Sequence, residues 1–264
     1  PSASPDGLGT PSATPRVGTA TDGDDRKVKR QQQEIQRLTQ RLKEADMFSS
    51  QDDGLPKFVL DEVEIGHQIG QGGFSSVHSA TWNCTPCALK KIFDPVITEE
   101  LKGEFENEVR MLRILRHPNI ITLMGVCRVP PALSILTEFV EGGSLFDLLH
   151  CPSKERAADL PDAEPGALWP LVQQGAAALA YLHKMCVVHR DVKSQNLLLT
   201  AAARPTAKLC DFGLAKMRGN QHAVQSTLPG ISPIWAPPEM FQDDRRLTEA
   251  VDVYSFAIIL LELL

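Results

Sequence analysis

The chain reads His189-Arg190-Asp191-Val192-Lys193-Ser194-Gln195-Asn196 and, fifteen residues later, Asp211-Phe212-Gly213. These stretches place two carboxylates, a lysine and an amide on predicted loops. A loop carboxylate such as Asp191 can accept the proton of an attacking hydroxyl, and Lys193 can steady a transferred phosphoryl group. Asn196 and Asp211 offer oxygen ligands of the kind that Mg²⁺ prefers. The pattern indicates phosphoryl-transfer chemistry, which asks mainly for positioning and charge neutralisation.

A glycine-rich stretch lies further upstream, between two predicted strands. It reads Gly70-Gln-Gly72-Gly73-Phe74-Ser75-Ser76-Val77. Glycines let the backbone of a hairpin close over phosphates, and its N–H groups can then face the anionic oxygens. A dinucleotide-binding fold would need a helix after such a loop, whereas a strand follows here. The stretch alone is a weak signal, because many turns contain several glycines.

A third motif, Ala88-Leu-Lys90, falls on the next predicted strand, about twenty residues after the loop begins. A lysine there can neutralise phosphate charge if a partner holds it in place. Glu108, on a predicted helix, is its natural ion-pair partner. Either residue alone would be read as a solvated surface charge, and it is the loops at 189–196 and 211–213 that favour a site.

From about Phe58 to its end, the chain resembles the eukaryotic protein kinases, because these motifs occur in that family's order and spacing. Within the family it looks most like the tyrosine-kinase-like branch of serine/threonine kinases, the Raf-like and mixed-lineage group. His117-Pro-Asn-Ile120, Met124-Gly125 and Lys208-Leu-Cys-Asp211-Phe-Gly-Leu-Ala215 carry that likeness. The resemblance implies an α+β, two-lobed protein-kinase fold, with an antiparallel sheet and one helix in the N-lobe and a mainly helical C-lobe.

The resemblance also implies a role for each site residue. Asp191 would be the catalytic base, with Lys193 on the γ-phosphate of ATP. Lys90 would bind the α- and β-phosphates, held by Glu108, while Asn196 and Asp211 would hold Mg²⁺. The predicted nucleotide-binding residues are Ile69, Gly70, Gly72, Gly73, Ser75, Val77, Ala88, Lys90, Thr137, Glu138, Val140 and Leu198.

Further positions have expected supporting roles. Thr137 matches the small gatekeeper that leaves a back pocket accessible, with Glu138 and Val140 offering hinge backbone groups. Asp252 matches the helix residue that anchors the catalytic-loop backbone. A hydrophobic stack between the lobes would be formed by Leu112, Leu123, His189 and Phe212.

Substrate class and regulation follow from the same resemblance. Lys193 and the segment Ser232-Pro233-Ile-Trp235 favour serine and threonine hydroxyls, with a tyrosine or dual-specificity kinase as the weaker alternative. Arg190 would form an ion pair with a phosphate on the activation loop, at Ser226 or Thr227.

Two departures from the family pattern keep a different class of function open. Ser75 replaces the third glycine, and Pro237 stands before Pro238-Glu239 where alanine is usual. A catalytically silent pseudokinase or scaffold, binding partners through a helix at 26–46, is therefore the alternative to an active kinase.

The remaining organisation follows from composition. Residues 1–25 contain almost no large apolar side chains and are expected to be disordered. Residues 26–53 are expected to form a helix, with a short heptad pattern at 26–46 through which the chain could form a homodimer or remain a solvated helix. The kinase domain is expected at 58–264, as a fragment whose C-lobe is incomplete and which is poorly soluble or inactive by itself.

Charge and cysteine usage bound the partners. The net charge of −6 argues against coating nucleic acid or an anionic membrane. We expect a protein substrate, and no nucleic-acid or membrane partner. The six cysteines follow no secretory signal and are expected to be reduced thiols, which places the chain in the cytoplasm.

Local patterns predict the elements. Alternation of Val63, Ile65 and Ile69 with polar residues predicts a strand with one buried face. Strands are also predicted near 77–82, 88–93, 120–126 and 133–139, and helices near 101–115, 144–150 and 169–185. Surface insertions are predicted at 151–168 and 200–206.

Overall fold

The computed structural model describes residues 54–72, 75–92, 98–129, 132–151, 165–202, 204–217, 232–241 and 248–264, together with Gln33. Apart from Gln33, these residues belong to one compact unit that extends from Phe48 to Leu264. The predicted segments 1–25 and 26–53 lie outside the described residues, except for the helical Gln33. So do Gly73, Ser226 and Thr227.

Strands make up most of the first part of this unit. Five of them form one antiparallel sheet in the order β1-β2-β3-β5-β4. The strands are β1 (Val63–Gln71), β2 (Ser75–Trp82), β3 (Thr85–Ile92), β4 (Leu123–Cys127) and β5 (Ser134–Glu138).

One long helix, α1 (Glu99–Ile114), accompanies this sheet. It begins at Thr98, whose side chain accepts a hydrogen bond from the backbone N–H of Leu101 and so satisfies one of the unpaired donors of the first turn. Phe105, Val109 and Leu112 recur at helical spacing on its buried face. Glu108 lies on that same face, so the helix carries a carboxylate toward the interior.

Helices dominate the second part. They are α2 (Leu145–His150), α3 (Pro165–Lys184) and α4 (Ala250–Glu262). Two short antiparallel pairs accompany them: β6 (Val187–Val188) with β9 (Lys216–Met217), and β7 (Leu197–Leu199) with β8 (Ala207–Leu209). The predicted α+β fold, with an antiparallel sheet followed by helices, is confirmed.

Several predicted boundaries were wrong. The strand predicted at 120–126 begins only at Leu123, because Ile120 and Ile121 pair with Leu209 instead. Helix α3 begins at Pro165 rather than at 169, and its Leu168 is fully buried. Leu168 therefore belongs to the core, while Gly166 and Ala167 in the same first turn are exposed. The stretch predicted as an insertion at 200–206 is the turn that joins β7 to β8.

The predicted buried face of β1 was also wrong. Val63 is buried, but Ile65 and Ile69 are 45% and 44% exposed. The alternation of polar and apolar residues correctly predicted a strand. It could not show what packs over each face of β1, which comes first in the strand order of the described sheet.

The opposite end of the sheet, β4, is covered by the chain that precedes β1. Lys57 forms a parallel bridge with Val126, and the Phe58 N–H donates to the Val126 carbonyl at 3.3 Å. The Phe58 ring lies 5.9 Å from that of Trp82, centroid to centroid. Gly125 makes the close approach possible, since a Cβ there would lie 3.3 Å from the Phe58 ring.

Helix α4 keeps several large apolar side chains at the surface: Val253, Tyr254 and Leu261 are 60%, 42% and 61% exposed. Among the residues that the structure describes, no helix is long and apolar enough to cross a membrane.

Candidate active site

The register of the sheet aligns the predicted nucleotide-facing residues across neighbouring strands. Gly70 on β1 lies opposite Val77 on β2, and Val77 lies opposite Lys90 on β3. Ala88, two residues from Lys90 and therefore on the same face of β3, lies opposite Thr137 on β5. The glycine-rich hairpin, the lysine and the gatekeeper position thus share one surface of the sheet.

The hairpin itself is closed by one short hydrogen bond, from the Gly72 N–H to the Ser75 carbonyl at 2.7 Å. A Cβ on Gly72 would lie 3.0 Å from the Ser75 hydroxyl oxygen. Ser75 stands where the family has a glycine. Its hydroxyl lies close to Gly72, in space that a side chain on residue 72 would crowd.

The first charged cluster joins β3, α1 and the loop after β8. Lys90 Nζ lies 2.8 Å from both carboxylate oxygens of Glu108 and 3.0 Å from Asp211 Oδ1. The Lys90 and Glu108 side chains are 24% and 10% exposed, whereas that of Asp211 is 44% exposed. The ion pair is mostly withdrawn from water, and Asp211 keeps an open side toward solvent.

These contacts perturb all three ionisations. Burial alone would lower the pKa of Lys90, but the carboxylates of Asp211 and Glu108 outweigh it and raise that pKa above its ordinary value. Burial raises the pKa of Glu108, and Lys90 opposes the rise only in part. The Lys90 ammonium, acting against burial, lowers the pKa of Asp211 to about 2. At neutral pH, Asp211 is therefore a carboxylate.

The second cluster surrounds Asp191. Its Oδ2 accepts hydrogen bonds from Lys193 Nζ at 2.7 Å and from Asn196 Nδ2 at 3.0 Å, while its Oδ1 accepts one from Ser232 Oγ at 3.0 Å. Lys193 Nζ also donates to Ser232 Oγ at 2.8 Å. A carboxylate, an ammonium and a hydroxyl thus contact one another around a single point.

Asn196 connects the two clusters. Its side-chain nitrogen holds both the carbonyl and the carboxylate of Asp191, and its own carbonyl accepts the N–H of Cys210, the residue before Asp211. Because its amide nitrogen is the donor, the amide oxygen is the atom that can coordinate a cation. Together with the Asp211 carboxylate it fits the oxygen-donor set of a hard divalent ion.

The loop that carries Asp191 is anchored from below by a fully buried carboxylate. Asp252 on α4 accepts the backbone N–H groups of His189 at 2.9 Å and Arg190 at 2.8 Å. His183 Nε2 lies 2.8 Å from the same carboxylate. One carboxylate therefore satisfies two buried backbone N–H groups, those of His189 and Arg190.

His189 has its tautomer set by its neighbours. Its Nε2 lies 3.0 Å from the Cys210 carbonyl and therefore donates, and its Nδ1 accepts the backbone N–H of Asp191 at 3.3 Å. Its ring packs edge-on against Phe212 at 4.9 Å. The predicted stack members Leu112, Leu123, His189 and Phe212 are all buried, with at most 8% exposure.

Two residues of the site adopt left-handed backbone conformations. Asp211 has φ +59° and Arg190 has φ +67°. Such conformations cost energy in residues other than glycine and persist where surrounding contacts fix them. Arg190 Nε donates to the Leu214 carbonyl at 2.6 Å, which ties the catalytic loop to the segment after Asp211.

The part of the site that is predicted to face the adenine includes a network of side chains at the start of the predicted hinge. Glu138 Oε1 accepts the Thr122 N–H at 2.8 Å and lies 2.9 Å from Lys208 Nζ, which also donates to the Pro118 carbonyl. The Val140 side chain is buried in the core, so this residue can offer a ligand only its backbone groups. Leu198 is half-buried on β7.

Sequence reasoning missed three functional contacts. Asn107 Nδ2 donates to the Ala215 carbonyl at 2.8 Å, His183 contacts Asp252, and Lys208 contacts Glu138. Each joins residues at least 69 positions apart, so no local pattern encodes it. Adjacency to Glu108 was the only signal that could have marked Asn107.

The fold and the site together have the layout of a nucleotide-dependent phosphotransferase. Residues 63–264 match the family model described as the protein kinase domain. The chain belongs to the protein kinase family.

Its similar curated proteins are named serine/threonine kinases. The probable serine/threonine-protein kinase SIS8 of Arabidopsis thaliana is 36% identical over 209 residues, which cover 78% of this chain and 19% of that protein. The serine/threonine-protein kinase CTR1 of the same plant is 37% identical over 204 residues, covering 76% and 24%. The probable kinase drkA of Dictyostelium discoideum is 36% identical over 205 residues, covering 77% and 30%. The chain thus spans less than a third of the length of these relatives.

Proposed function

We propose that this domain transfers the γ-phosphoryl group of ATP to serine and threonine hydroxyls of proteins, as a step in intracellular signalling. The observation that carries the proposal is the pair of charged clusters joined through Asn196. One cluster holds a carboxylate between a lysine and a hydroxyl, and the other holds a lysine between two carboxylates. Phosphoryl transfer needs these two parts, a base beside the attacking group and charges that position the phosphates.

Asp191 is the proposed base. It accepts a hydrogen bond from Lys193 at 2.7 Å, and the Ser232 hydroxyl already donates to it at 3.0 Å, as a substrate hydroxyl would. When the substrate oxygen attacks phosphorus, its proton passes to Asp191, and the Lys193 ammonium balances the charge that develops on the phosphoryl oxygens. Ser232 and Trp235 line a small surface depression together with Asp191.

Lys90 is the proposed phosphate ligand. Glu108 keeps its ammonium beside Asp211, so the charge is in place before the nucleotide binds and no reorganisation is required. Asn196 and Asp211 would hold Mg²⁺, which supplies charge neutralisation on the phosphate oxygens when it is bound. The low pKa of Asp211 keeps that carboxylate available at any physiological pH.

The preference for serine and threonine rests on Lys193 and Ser232. Lys193 Nζ donates to Ser232 Oγ at 2.8 Å, and both side chains contact the Asp191 carboxylate. The names of the similar proteins support the same substrate class. A phosphoamino-acid analysis of the product would reveal phosphotyrosine if the weaker alternative were correct.

The test is transfer of labelled γ-phosphate to a generic serine/threonine substrate by the full-length protein, beside an Asp191→Asn variant. We expect the variant to lose about 10²- to 10⁴-fold in rate, the range of a positioned general base. Undiminished transfer by the variant would remove Asp191 from the base role. A folded wild-type protein that binds Mg·ATP but transfers nothing would indicate the scaffold alternative.

We further propose activation by phosphorylation at Ser226 or Thr227. Burial and the nearby Arg190 guanidinium lower the pKa of Lys216, so two cationic side chains lie close together at the start of the segment that leads to these residues. An anion there would relieve the repulsion. Alanine at both positions should lower activity, and treatment with a phosphatase should then have no further effect.

We also propose that the helix at 26–46 forms a homodimer and that the protein resides in the cytoplasm. The heptad pattern supports the first proposal, and six free thiols support the second. Deleting 26–46 should abolish the dimer in light scattering.

A further inference from the structure

A single side-chain hydrogen bond connects helix α1 to the segment that follows Asp211. Asn107 Nδ2 donates to the Ala215 carbonyl at 2.8 Å, across 108 positions of sequence. Asn107 is half-buried, and Ala215 is fully buried. The bond lies outside both charged clusters, and neither the fold nor the ion pairs require it.

The position of Asn107 on the helix gives this bond its significance. It immediately precedes Glu108, which holds Lys90 and, through Lys90, the Asp211 carboxylate. Two consecutive residues of α1 therefore hold the same segment at two points four residues apart. One attachment would let the segment pivot about Asp211, whereas two attachments restrict both its translation and its rotation relative to the helix.

The segment needs such restraint because its backbone is strained. Asp211 has φ +59°, and a turn follows in which the Ala215 N–H donates to the Phe212 carbonyl at 3.0 Å. The last two carbonyls of this turn accept hydrogen bonds from different elements. That of Leu214 accepts one from Arg190 of the catalytic loop, and that of Ala215 accepts one from Asn107. Only the second of these contacts comes from the helix that also carries Glu108.

The turn also lies directly beside the first charged cluster. A Cβ on Gly213 would lie 3.4 Å from Asp211 Oδ1 and 3.7 Å from Glu108 Oε2, which is van der Waals contact. A segment that pivots would therefore change the surroundings of both carboxylates. The placement of Gly213 therefore depends on the contact that holds the backbone at Ala215, at the other end of the turn from Asp211.

We infer that Asn107 is a positioning residue for phosphoryl transfer, fixing the backbone after Asp211 so that its carboxylate stays beside Lys90. This inference rests on the proposed kinase function. Without the bond, the competent arrangement becomes a minor conformer and the rate falls with its population. Adenine recognition on β3 and β5 is untouched, so the effect should fall on kcat more than on KM for ATP.

The test uses full-length protein carrying Asn107→Leu, which has a similar volume and no donor, or Asn107→Ala if the first variant does not fold. Asn107→Gln retains the amide donor and should recover much of the activity. The matched control is Glu106→Gln, which removes the ion pair with Arg128 from the same helical turn without touching the segment. We expect kcat to fall about tenfold in Asn107→Leu with KM for ATP within about twofold, and little change in Glu106→Gln.

Hydrogen exchange at the Ala215 amide supplies a readout that does not depend on catalysis. It should become about tenfold faster in Asn107→Leu and remain unchanged in Glu106→Gln. Unchanged exchange and unchanged kcat would overturn the inference, as would equal losses in both variants. If the wild-type protein transfers no phosphate, the proposed function fails, and exchange alone decides whether Asn107 holds the segment.

Discussion

The glycine-rich hairpin and the catalytic loop differ sharply in how they are held. Along β1 only Val63 is buried, and Ile65 and Ile69 are nearly half exposed. Along the catalytic loop, by contrast, five polar residues have at most 8% exposure, and the Lys193 side chain is 18% exposed. The five are His189, Arg190, Asp191, Ser194 and Asn196.

The difference matches the roles proposed for the two regions. A cover over a nucleotide must open for exchange, and a strand with few buried contacts opens at low cost. The loop must present a base and a lysine without rearrangement, and it is held by a buried carboxylate and by Asn196. Stability in this domain is therefore concentrated under the catalytic loop.

The substitution Asp252→Ala is expected to have the largest effect, because it removes the carboxylate that holds the catalytic loop. The variant leaves the N–H groups of His189 and Arg190 buried without the Asp252 acceptor, and each should cost about 1–3 kcal/mol, or about 2–6 kcal/mol together. Urea unfolding of the full-length protein measures the loss. Ser255→Ala, one turn later on α4, removes only a local bond to the Val251 carbonyl and should cost no more than about 1 kcal/mol. Equal losses in the two variants would contradict the anchoring role.

An intermediate effect is expected from acid. The pKa of Asp211 is lowered to about 2 by Lys90, from an ordinary value near 4. A depressed pKa stabilises the folded state above the unfolded value, and that contribution is lost as pH falls from about 4 through about 2. Because 44% of the side chain is exposed, solvent screens the pair and the contribution should not exceed about 1 kcal/mol.

The acid effect is measured as the difference in unfolding free energy between wild type and Asp211→Asn across that pH range. The difference should shrink toward low pH in the Lys90 background. In Lys90→Met, which lacks the ammonium, burial is left to raise the pKa of Asp211, so the difference should no longer shrink toward low pH. A difference that grows on acidification would show that the sign is wrong.

The smallest effect is expected in the hairpin, from Gly72→Ala. The added Cβ would lie 3.0 Å from the Ser75 hydroxyl, which can rotate away. Stability should change by less than about 0.5 kcal/mol, while KM for ATP should rise about threefold as the hairpin closes less well over phosphate. Gly103→Ala on α1, where a Cβ meets nothing within 4 Å, should stabilise by about 0.5–1 kcal/mol and leave KM unchanged.

Sequence reasoning recovered the parts of the molecule that repeat local rules. Alternation and helical spacing placed the strands of the sheet and α1, and the kinase resemblance placed the charged residues in order along the chain. The Lys90–Glu108 pair was foreseen because a strand lysine and a buried helix carboxylate need each other. The roles of these residues in catalysis stay predictions.

What sequence reasoning could not supply depends on which distant surfaces meet. Ile65 has the pattern of a buried residue and is exposed, because burial depends on what packs over that face of β1, which the alternation along the strand does not encode. Ile120 and Ile121 look like a strand but pair with Leu209. The contact from Asn107 to Ala215 joins two residues of unremarkable type, and only the fold brings them together.

The cover that Pro56–Phe58 forms on β4 has a consequence for trimming the chain. β4 is the last strand in the sheet order, and the Lys57 bridge and the bond between Val126 N–H and the Pro56 carbonyl occupy its outer edge. The family match begins only at residue 63. A protein cut there would present an unpaired strand edge and an uncovered Trp82, a template for edge-to-edge self-association. The physical boundary of the domain therefore lies before Pro56.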